Sequence, residues 1–226
     1  MALLLSLETS TKICSVAVHF NSDLISSTEL HVEQSHASRL APLIEATLKV
    51  AGVERSQLNA VVVSSGPGSY TGLRIGVSTS KGLCYALRIP LIAVNTLDLI
   101  AYEVSRLNNT ITLLCPMIDA RRMEVYCKVT DNDLKEVLPV EARVIDENTF
   151  KDLLQSNRIY FFGDGARKCQ PVISHSNAGF LDGIYPKASL LGKLGYQKLI
   201  QNNSEDLVSF EPFYLKQFFT KALNIG

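Results

Sequence analysis

The chain has 226 residues, 46% of them hydrophobic and 19% charged, which predicts one or two globular domains with a sizeable core and excludes a disordered chain. Its 22 basic residues balance 22 acidic ones. A stand-alone nucleic-acid binder, which draws on clustered Lys and Arg, is therefore not expected, although nucleic acid stays open for a complex whose partner supplies the charge.

The opening Met1–Leu7 has no basic start, and its apolar run stops at Glu8, so it reads as a first strand rather than a leader. No run approaches the ~18 apolar residues of a membrane helix, and a cytoplasmic protein without membrane attachment is expected. Glu8-Thr9-Ser10-Thr11-Lys12 is a polar turn, and Ile13–Phe20 alternates as a strand does. Leu24–Leu30 is a weaker third strand. A helix follows, with Ser35 as its expected N-cap, Leu40, Leu43, Ile44, Thr47, Leu48 and Ala51 at helical spacing, and Gly52 as its stop. Ala60–Ser64 is a buried strand, and it leads into Gly66-Pro67-Gly68-Ser69-Tyr70-Thr71-Gly72. A second helix runs over Arg74–Leu87, with Thr71 as expected N-cap and Pro90 beyond its end. Leu91–Val94 is a strand and Leu97–Arg106 a helix. The polar run Ser105–Thr110 marks a boundary. Beyond it come a strand (Ile111–Ile118), a turn (Asp119–Arg122), an alternating strand (Met123–Val129), a third strand (about 136–143) and a helix (about 147–154). A strand (Ile159–Phe162), a Gly163-Asp164-Gly165 turn and a long helix (about 188–201) complete the order. The five cysteines form no CxxC and are odd in number. They read as buried thiols in a reducing compartment rather than as a disulfide framework.

The halves match in order. Each runs strand, turn opened by an acid (Glu8; Asp119), alternating strand, third strand, helix, strand. This repeat of architecture predicts an α/β protein with the duplicated actin, Hsp70 and sugar-kinase-like (ribonuclease H-like) fold, two lobes with mixed sheets. In that fold the cleft between lobes binds ATP. The expected division is residues 1–106 for the first lobe and 107–205 for a smaller second one, with about 206–226 packing back on the first.

The loop after Ser64 has the physical features of an anion site, since glycines let backbone approach a ligand and the first helical N–H groups point outward. Thr9, Ser10, Gly66, Gly68, Ser69, Thr71 and Gly72 are the candidates for nucleotide or phosphate. The phosphate-loop pattern fails, because five residues separate Gly66 from Gly72 and no Lys follows. The dinucleotide fingerprint fails at Thr71. A tight strand-to-helix turn is the equal alternative. In the helix that follows, Gly76, Ser78, Thr79, Ser80, Gly82 and Ala86 are small. Interior glycines cost about 1 kcal/mol each against Ala, so another backbone is expected very close, within the fold or on a partner.

Read to Gly76, this segment resembles the Gly-Pro-Gly-Ser-Phe-Thr-Gly-Leu-Arg-Ile-Gly signature of the TsaB (YeaZ) family, with Tyr70 in place of Phe. Leu7-Glu8-Thr9-Ser10, His36 with its helix, Asn95-Thr96-Leu97, Ile118–Arg122 with Glu124-Val125-Tyr126, and Pro212–Lys216 agree in order. The resemblance implies a catalytically silent relative of TsaD, the enzyme that places threonylcarbamoyl on the adenosine beside the anticodon of tRNAs reading codons that begin with A. It implies a heterodimer with TsaD, the ATPase TsaE as a further partner, tRNA met through the complex, and a homodimer when alone. No intrinsic cofactor is implied, with ATP or ADP bound only in the complex. TsaD proteins bind a metal through a His-x-x-x-His pair. Aligned here, those positions hold Thr96 and Ile100, so neither metal nor catalytic residues are expected. Glu8 stands where the family usually has Asp. His36, Leu40, Leu43, Arg74, Val77 and Lys81, on helices at about 36–51 and 72–88, are the candidates for the partner interface.

Other constellations are weaker. His31 and His36 flank Glu33 at a spacing that fits no helical ligand pair, and a G-x-S-x-G elbow is absent. Asp119, Arg121, Arg122 and Glu124 form a charged turn, read as a solvated corner or as a contact for phosphate or an acidic partner. A small-molecule kinase or ATPase using Glu8, Asp119 and Gly163–Gly165 is the alternative function, and a peptidase is a third.

Overall fold

The computed structural model describes residues 1–32, 36–107 and 113–216. Ser35, Glu33 and the first residues of the strand expected from Ile111 lie outside them. The first lobe contains β1 (Leu3–Glu8), β2 (Cys14–Phe20), β3 (Asp23–Leu30), α1 (His36–Ala51), β4 (Ala60–Gly66), α2 (Tyr70–Leu87), β5 (Leu91–Asn95) and α3 (Thr96–Ser105). The second contains β6 (Leu113–Asp119), β7 (Glu124–Asp131), β8 (Glu136–Val144), α4 (Lys151–Ser156), β9 (Ile159–Phe162), α5 (Ala166–Cys169), β10 (Ala178–Leu181) and α6 (Ala188–Ile200).

The sheets run β3-β2-β1-β4-β5 and β10-β9-β6-β7-β8. In each, the first three strands in sequence pair antiparallel and the fourth and fifth add in parallel. One order is the other read backwards, so the duplicated fold expected from the element order is present. The parallel centre needs apolar residues on both faces, and Leu4, Leu5, Val61, Val62, Ile92 and Val94 supply them. Alternation along β1 sends Leu5 and Leu7 toward Leu40, Ile44 and Leu48 of α1 and Val77 of α2, and sends Leu4 to the opposite face. The second sheet packs Cys115, Val125, Cys127 and Phe161 against Leu154 and Cys169.

The space between the sheets is filled by α3 and α6. Leu97, Ile100 and Val104 of α3 meet Leu114, Ile118 and Phe162 of the second sheet, while Leu99 faces the first. Leu190, Leu191 and Leu194 of α6 lie on Leu4, Val62 and Ile92 of the first sheet. The expected boundaries placed residues 188–200 in the second lobe, and this is corrected: α6 belongs to the first sheet's packing. His19 fixes it there. The His19 ring, 1% exposed, shares a hydrogen bond with Ser6 Oγ (3.2 Å) and donates Nε2–H to the Ser189 carbonyl (3.1 Å). The Ala188 amide donates to Ser15 Oγ at 2.9 Å. A methyl at Gly192 would enter the imidazole.

Two further expectations are corrected. The helix expected from about 147 begins at Lys151, because Asp146 captures the preceding chain: its Oδ1 accepts from the Asn148 amide (3.0 Å) and Thr149 Oγ1 (2.7 Å), and Phe150 is left-handed at φ 65°. The cap of α2 is Ser69, not Thr71, and its Oγ accepts from the Gly72 amide at 3.3 Å. All five cysteines are free and buried.

Candidate functional site

The Gly66–Gly72 loop leaves β4 at a Gly66 with φ 109° and a cis Gly66–Pro67 bond. It then lies across the β1–β2 turn. The Ser69 amide donates to the Ser10 carbonyl at 2.6 Å, and Thr9 Oγ1 donates to the Gly72 carbonyl at 2.8 Å. A Cβ at Gly68 would strike the Ser10 carbonyl, at Gly72 the Thr9 carbonyl, and at Gly76 the Thr9 hydroxyl. A close backbone was expected at Gly76; the neighbour there is instead the side chain of the chain's own Thr9. The candidate nucleotide residues Thr9, Ser10, Gly66, Gly68, Ser69 and Gly72 are brought together, but the approach their glycines permit is occupied from within. Thr71 stands apart, exposed on the first turn of α2.

A strap of chain from Glu205 to Lys216 closes the loop's other side. The Glu205 amide bonds the Leu91 carbonyl (2.8 Å), and the Phe213 amide bonds the Ser65 carbonyl (2.7 Å). The Phe213 carbonyl stands 2.7 Å from where a Gly66 Cβ would be. Tyr214 packs on Tyr70 with centroids 4.8 Å apart, and the Arg74 guanidinium lies 4.5 Å over the same Tyr70 ring. The strap thus bonds to the first lobe at Glu205 and Phe213, Lys216 at its end pairs with Glu124 of the second lobe, and 217–226 of the expected segment lie outside the described residues.

Glu8 is fully buried, accepting from the Ser10 amide at 2.6 Å and from Ser64 Oγ. Burial pushes its carboxyl above the usual range, and the hydrogen bonds from Ser10 and Ser64 pull it part of the way back. In the second lobe Asp164 is likewise pushed up by burial while accepting from the Asp119 amide at 3.0 Å. Gly163, with φ 99°, follows β9 much as Gly66 ends β4, and packs on the Met117 carbonyl.

Of the interface candidates, three are corrected to core positions. Leu40 and Val77 are buried in the first-lobe cluster. His36 is buried with its Nε2–H on the Thr11 carbonyl at 2.9 Å, which anchors α1 to the β1–β2 turn. Lys81 is taken by the strap, its ammonium donating to the carbonyls of Phe210 (3.0 Å) and Val208 (3.3 Å). Leu43 is half-buried and lines an apolar groove of about 370 Å³ with Leu30, Val32 and Pro42. Arg74 is exposed. Sequence reasoning missed Tyr85, 80% exposed, which shares the outer stripe of α2 with Arg74, Ser78 and Gly82; a Cβ at Gly82 would meet nothing within 4 Å among the described residues. His31 does not join His36. It pairs with Glu29 (3.1 Å) and meets the Tyr185 ring edge-on. Among the described residues no three His, Cys, Asp or Glu side chains gather as a metal site, and no helix is long and apolar enough to cross a membrane.

Residues 27–150 match the family model described as TsaD, tRNA N6-adenosine threonylcarbamoyltransferase. The chain belongs to the TsaD family, in its TsaB (YeaZ) branch. It is 26% identical to the tRNA threonylcarbamoyladenosine biosynthesis protein TsaB of Haemophilus influenzae, over 96% of this chain and 94% of that one. It is 28% identical to the protein of the same name from Bacillus subtilis, over 94% and 93%. A Pseudomonas aeruginosa crystal structure with similarity to peptidase YeaZ superposes with a TM-score of 0.81 at 26% identity, covering 96% of this chain and all of that one.

The metal implied by the TsaD resemblance does not fit here. Thr96 and Ile100 stand one turn apart on α3, both fully buried. Ile100 sits in the apolar cluster with Leu97, Val104, Leu114, Ile118 and Phe162 and offers no lone pair. Thr96 presents one neutral hydroxyl, which finds no partner among the described residues.

Proposed function

We propose that this chain serves tRNA threonylcarbamoyladenosine biosynthesis as a non-catalytic partner of a TsaD protein in the cytoplasm. The observation that carries the reading is the buried Thr96–Ile100 pair, where a metal-binding relative needs two imidazoles. The occupied glycine loop supports it, because the helix N-terminus meets the chain's own turn rather than open space. Nucleotide then binds only where a partner completes a site. Docking uses the outer stripe of α2 (Arg74, Ser78, Gly82, Tyr85) and the groove beside Leu43, and the isolated chain pairs with itself through the same face. Gly82 fits this role, since an exposed mid-helix glycine costs about 1 kcal/mol and nothing among the described residues uses the space it leaves.

The test is reconstitution. The chain is purified with TsaD and the ATPase TsaE, and threonylcarbamoyladenosine is measured in a tRNA transcript with and without it. A stable complex and a modification that requires the chain are expected. Modification that proceeds equally without it ends the reading, and so does turnover by the chain alone.

A further inference from the structure

The β6–β7 hairpin carries an oddity that the partner reading does not use. Its tip holds two consecutive arginines in left-handed backbone, Arg121 at φ 72° and Arg122 at φ 47°. Such angles are uncommon outside glycine and Asn, and they belong to the tight turns that join antiparallel strands, as at Asn21 and Leu134 in this chain. Both side chains are exposed. The acids beside them are already paired: Asp119 with Lys168, and Glu124 with Lys216. The Lys168 ammonium also donates to the Glu124 carbonyl at 2.6 Å. Lys168 and Lys216 thus offset Asp119 and Glu124, Asp164 is engaged by the Asp119 amide, and among the described residues no ion pair takes up the charge of Arg121 and Arg122. The tip has no exposed large apolar side chain of its own, whereas a protein interface is built around an apolar centre.

We infer that the Arg121–Arg122 tip is a contact for the phosphodiester backbone of the RNA substrate, one that adds cations from this chain to a surface otherwise supplied by its partner. The inference rests on the tRNA reading above and names the part of the chain that meets the RNA. Guanidinium groups suit this task because their planar fork matches a phosphate. The lysines contribute by silencing Asp119 and Glu124, which would otherwise repel the backbone.

The decisive variant is Arg121→Asn with Arg122→Gly, because both replacements tolerate positive φ. It removes the charge while relieving the strain, and so melts at least as high as the wild type. Arg121→Lys with Arg122→Lys keeps the charge. Binding of an unmodified tRNA transcript to the complex of this chain with TsaD is measured by anisotropy across salt concentrations. Each lost phosphate contact flattens the slope of log K against log salt by about 0.7–0.9. The Asn–Gly variant is expected to flatten it by about 1.4–1.8 and to weaken binding at low salt at least tenfold, with the Lys–Lys variant close to wild type and TsaD affinity unchanged in both. An unchanged slope overturns the inference. Loss of TsaD affinity instead of tRNA affinity also overturns it and assigns the tip to an acidic protein surface. A wild-type complex that binds no tRNA at all overturns the tRNA reading along with it.

Discussion

Gly76 and Gly82 lie six residues apart on one helix, and the structure gives them opposite reasons to be glycine. Replacing each by Ala in turn separates packing inside the fold from packing by a partner. In a helix interior Ala is favoured over Gly by about 1 kcal/mol. At Gly82 nothing among the described residues opposes that gain, because the added methyl meets none of their atoms within 4 Å. Gly82→Ala should stabilise the chain by about 1 kcal/mol, or roughly 2–4 °C in melting temperature for a chain of this size. At Gly76 the methyl enters the Thr9 hydroxyl, which is held by its 2.8 Å bond to the Gly72 carbonyl. Overpacking of this kind costs about 1–3 kcal/mol, and displacing Thr9 gives up a buried hydrogen bond worth about 1 kcal/mol. After the propensity gain, Gly76→Ala should be destabilised by about 1–3 kcal/mol. Thermal and urea melts of both variants measure the difference, and TsaD binding of each reads the second half of the argument. Gly82→Ala should fold better yet bind TsaD at least tenfold more weakly. Equal stabilisation of both variants would refute the account of α2 docking on Thr9. Undiminished binding by Gly82→Ala would remove the outer stripe as the docking face.

Burial holds the His19 imidazole below its usual 6.5, with the hydrogen bond to Ser189 opposing that shift. The unfolded chain therefore takes up a proton as pH falls through 6.5 while the folded chain does not. Stability is full above 6.5 and declines below it, by up to about 1.4 kcal/mol for each pH unit until the folded imidazole titrates. Between pH 7.5 and 5.5, urea melts should show the wild type losing about 1 kcal/mol more than His19→Gln, and matching losses in the two would remove His19 as the cause. Lys81→Met removes the ammonium from the Val208 and Phe210 carbonyls. Amide exchange at Glu205 and Phe213, which anchor the strap, should quicken about fivefold to tenfold with little change in the global melt. Unaltered exchange at those two amides would show that Lys81 does not hold the strap.

Most strands were legible because the centre of each sheet is buried on both faces and leaves continuous apolar runs, as in Ala60–Val63 and Leu113–Ile118. β10 was not, because its Ala-Gly-Phe-Leu is four residues long, only half-buried, and looks like any loop with a hydrophobic tip. Helical periodicity located α6, but period alone cannot say which sheet a helix lies on. Its address is written in the small Gly192 that admits His19, a contact between residues far apart in sequence. Leu40 and Val77 went to the core rather than to an interface for a related reason. Spacing at three and four residues marks the face of a helix that the core takes, so Leu40 and Val77 are where that signal should put them. The opposite face carries no periodic signal, and only its anomalies, an exposed Tyr85 and an unused Gly82, set it apart.

The duplication sharpens what the loop is for. Gly66 ends the fourth strand of the first lobe and Gly163 follows that of the second, both at positive φ. In the second lobe the roof over Gly163 comes from that lobe's own β6, at the Met117 carbonyl, with Ile100 of α3 beside it. In the first lobe the roof over Gly66 is the Phe213 carbonyl, which belongs to a strap more than a hundred residues away in sequence and continues to an ion pair between Lys216 and Glu124 of the other lobe. The loop is thus enclosed by Thr9 and Ser10 on one side and by the strap on the other. A phosphate would have to displace two backbone segments and break their hydrogen bonds to the Ser69 amide and the Ser65 carbonyl, rather than fill a gap. A partner needs none of this, because the stripe through Arg74, Ser78, Gly82 and Tyr85 is already open. The enclosed loop ties α2 to the sheet, so in the docking proposed above a partner seated on that stripe would meet a surface whose position is set before it arrives, with little ordering cost left to be met on binding.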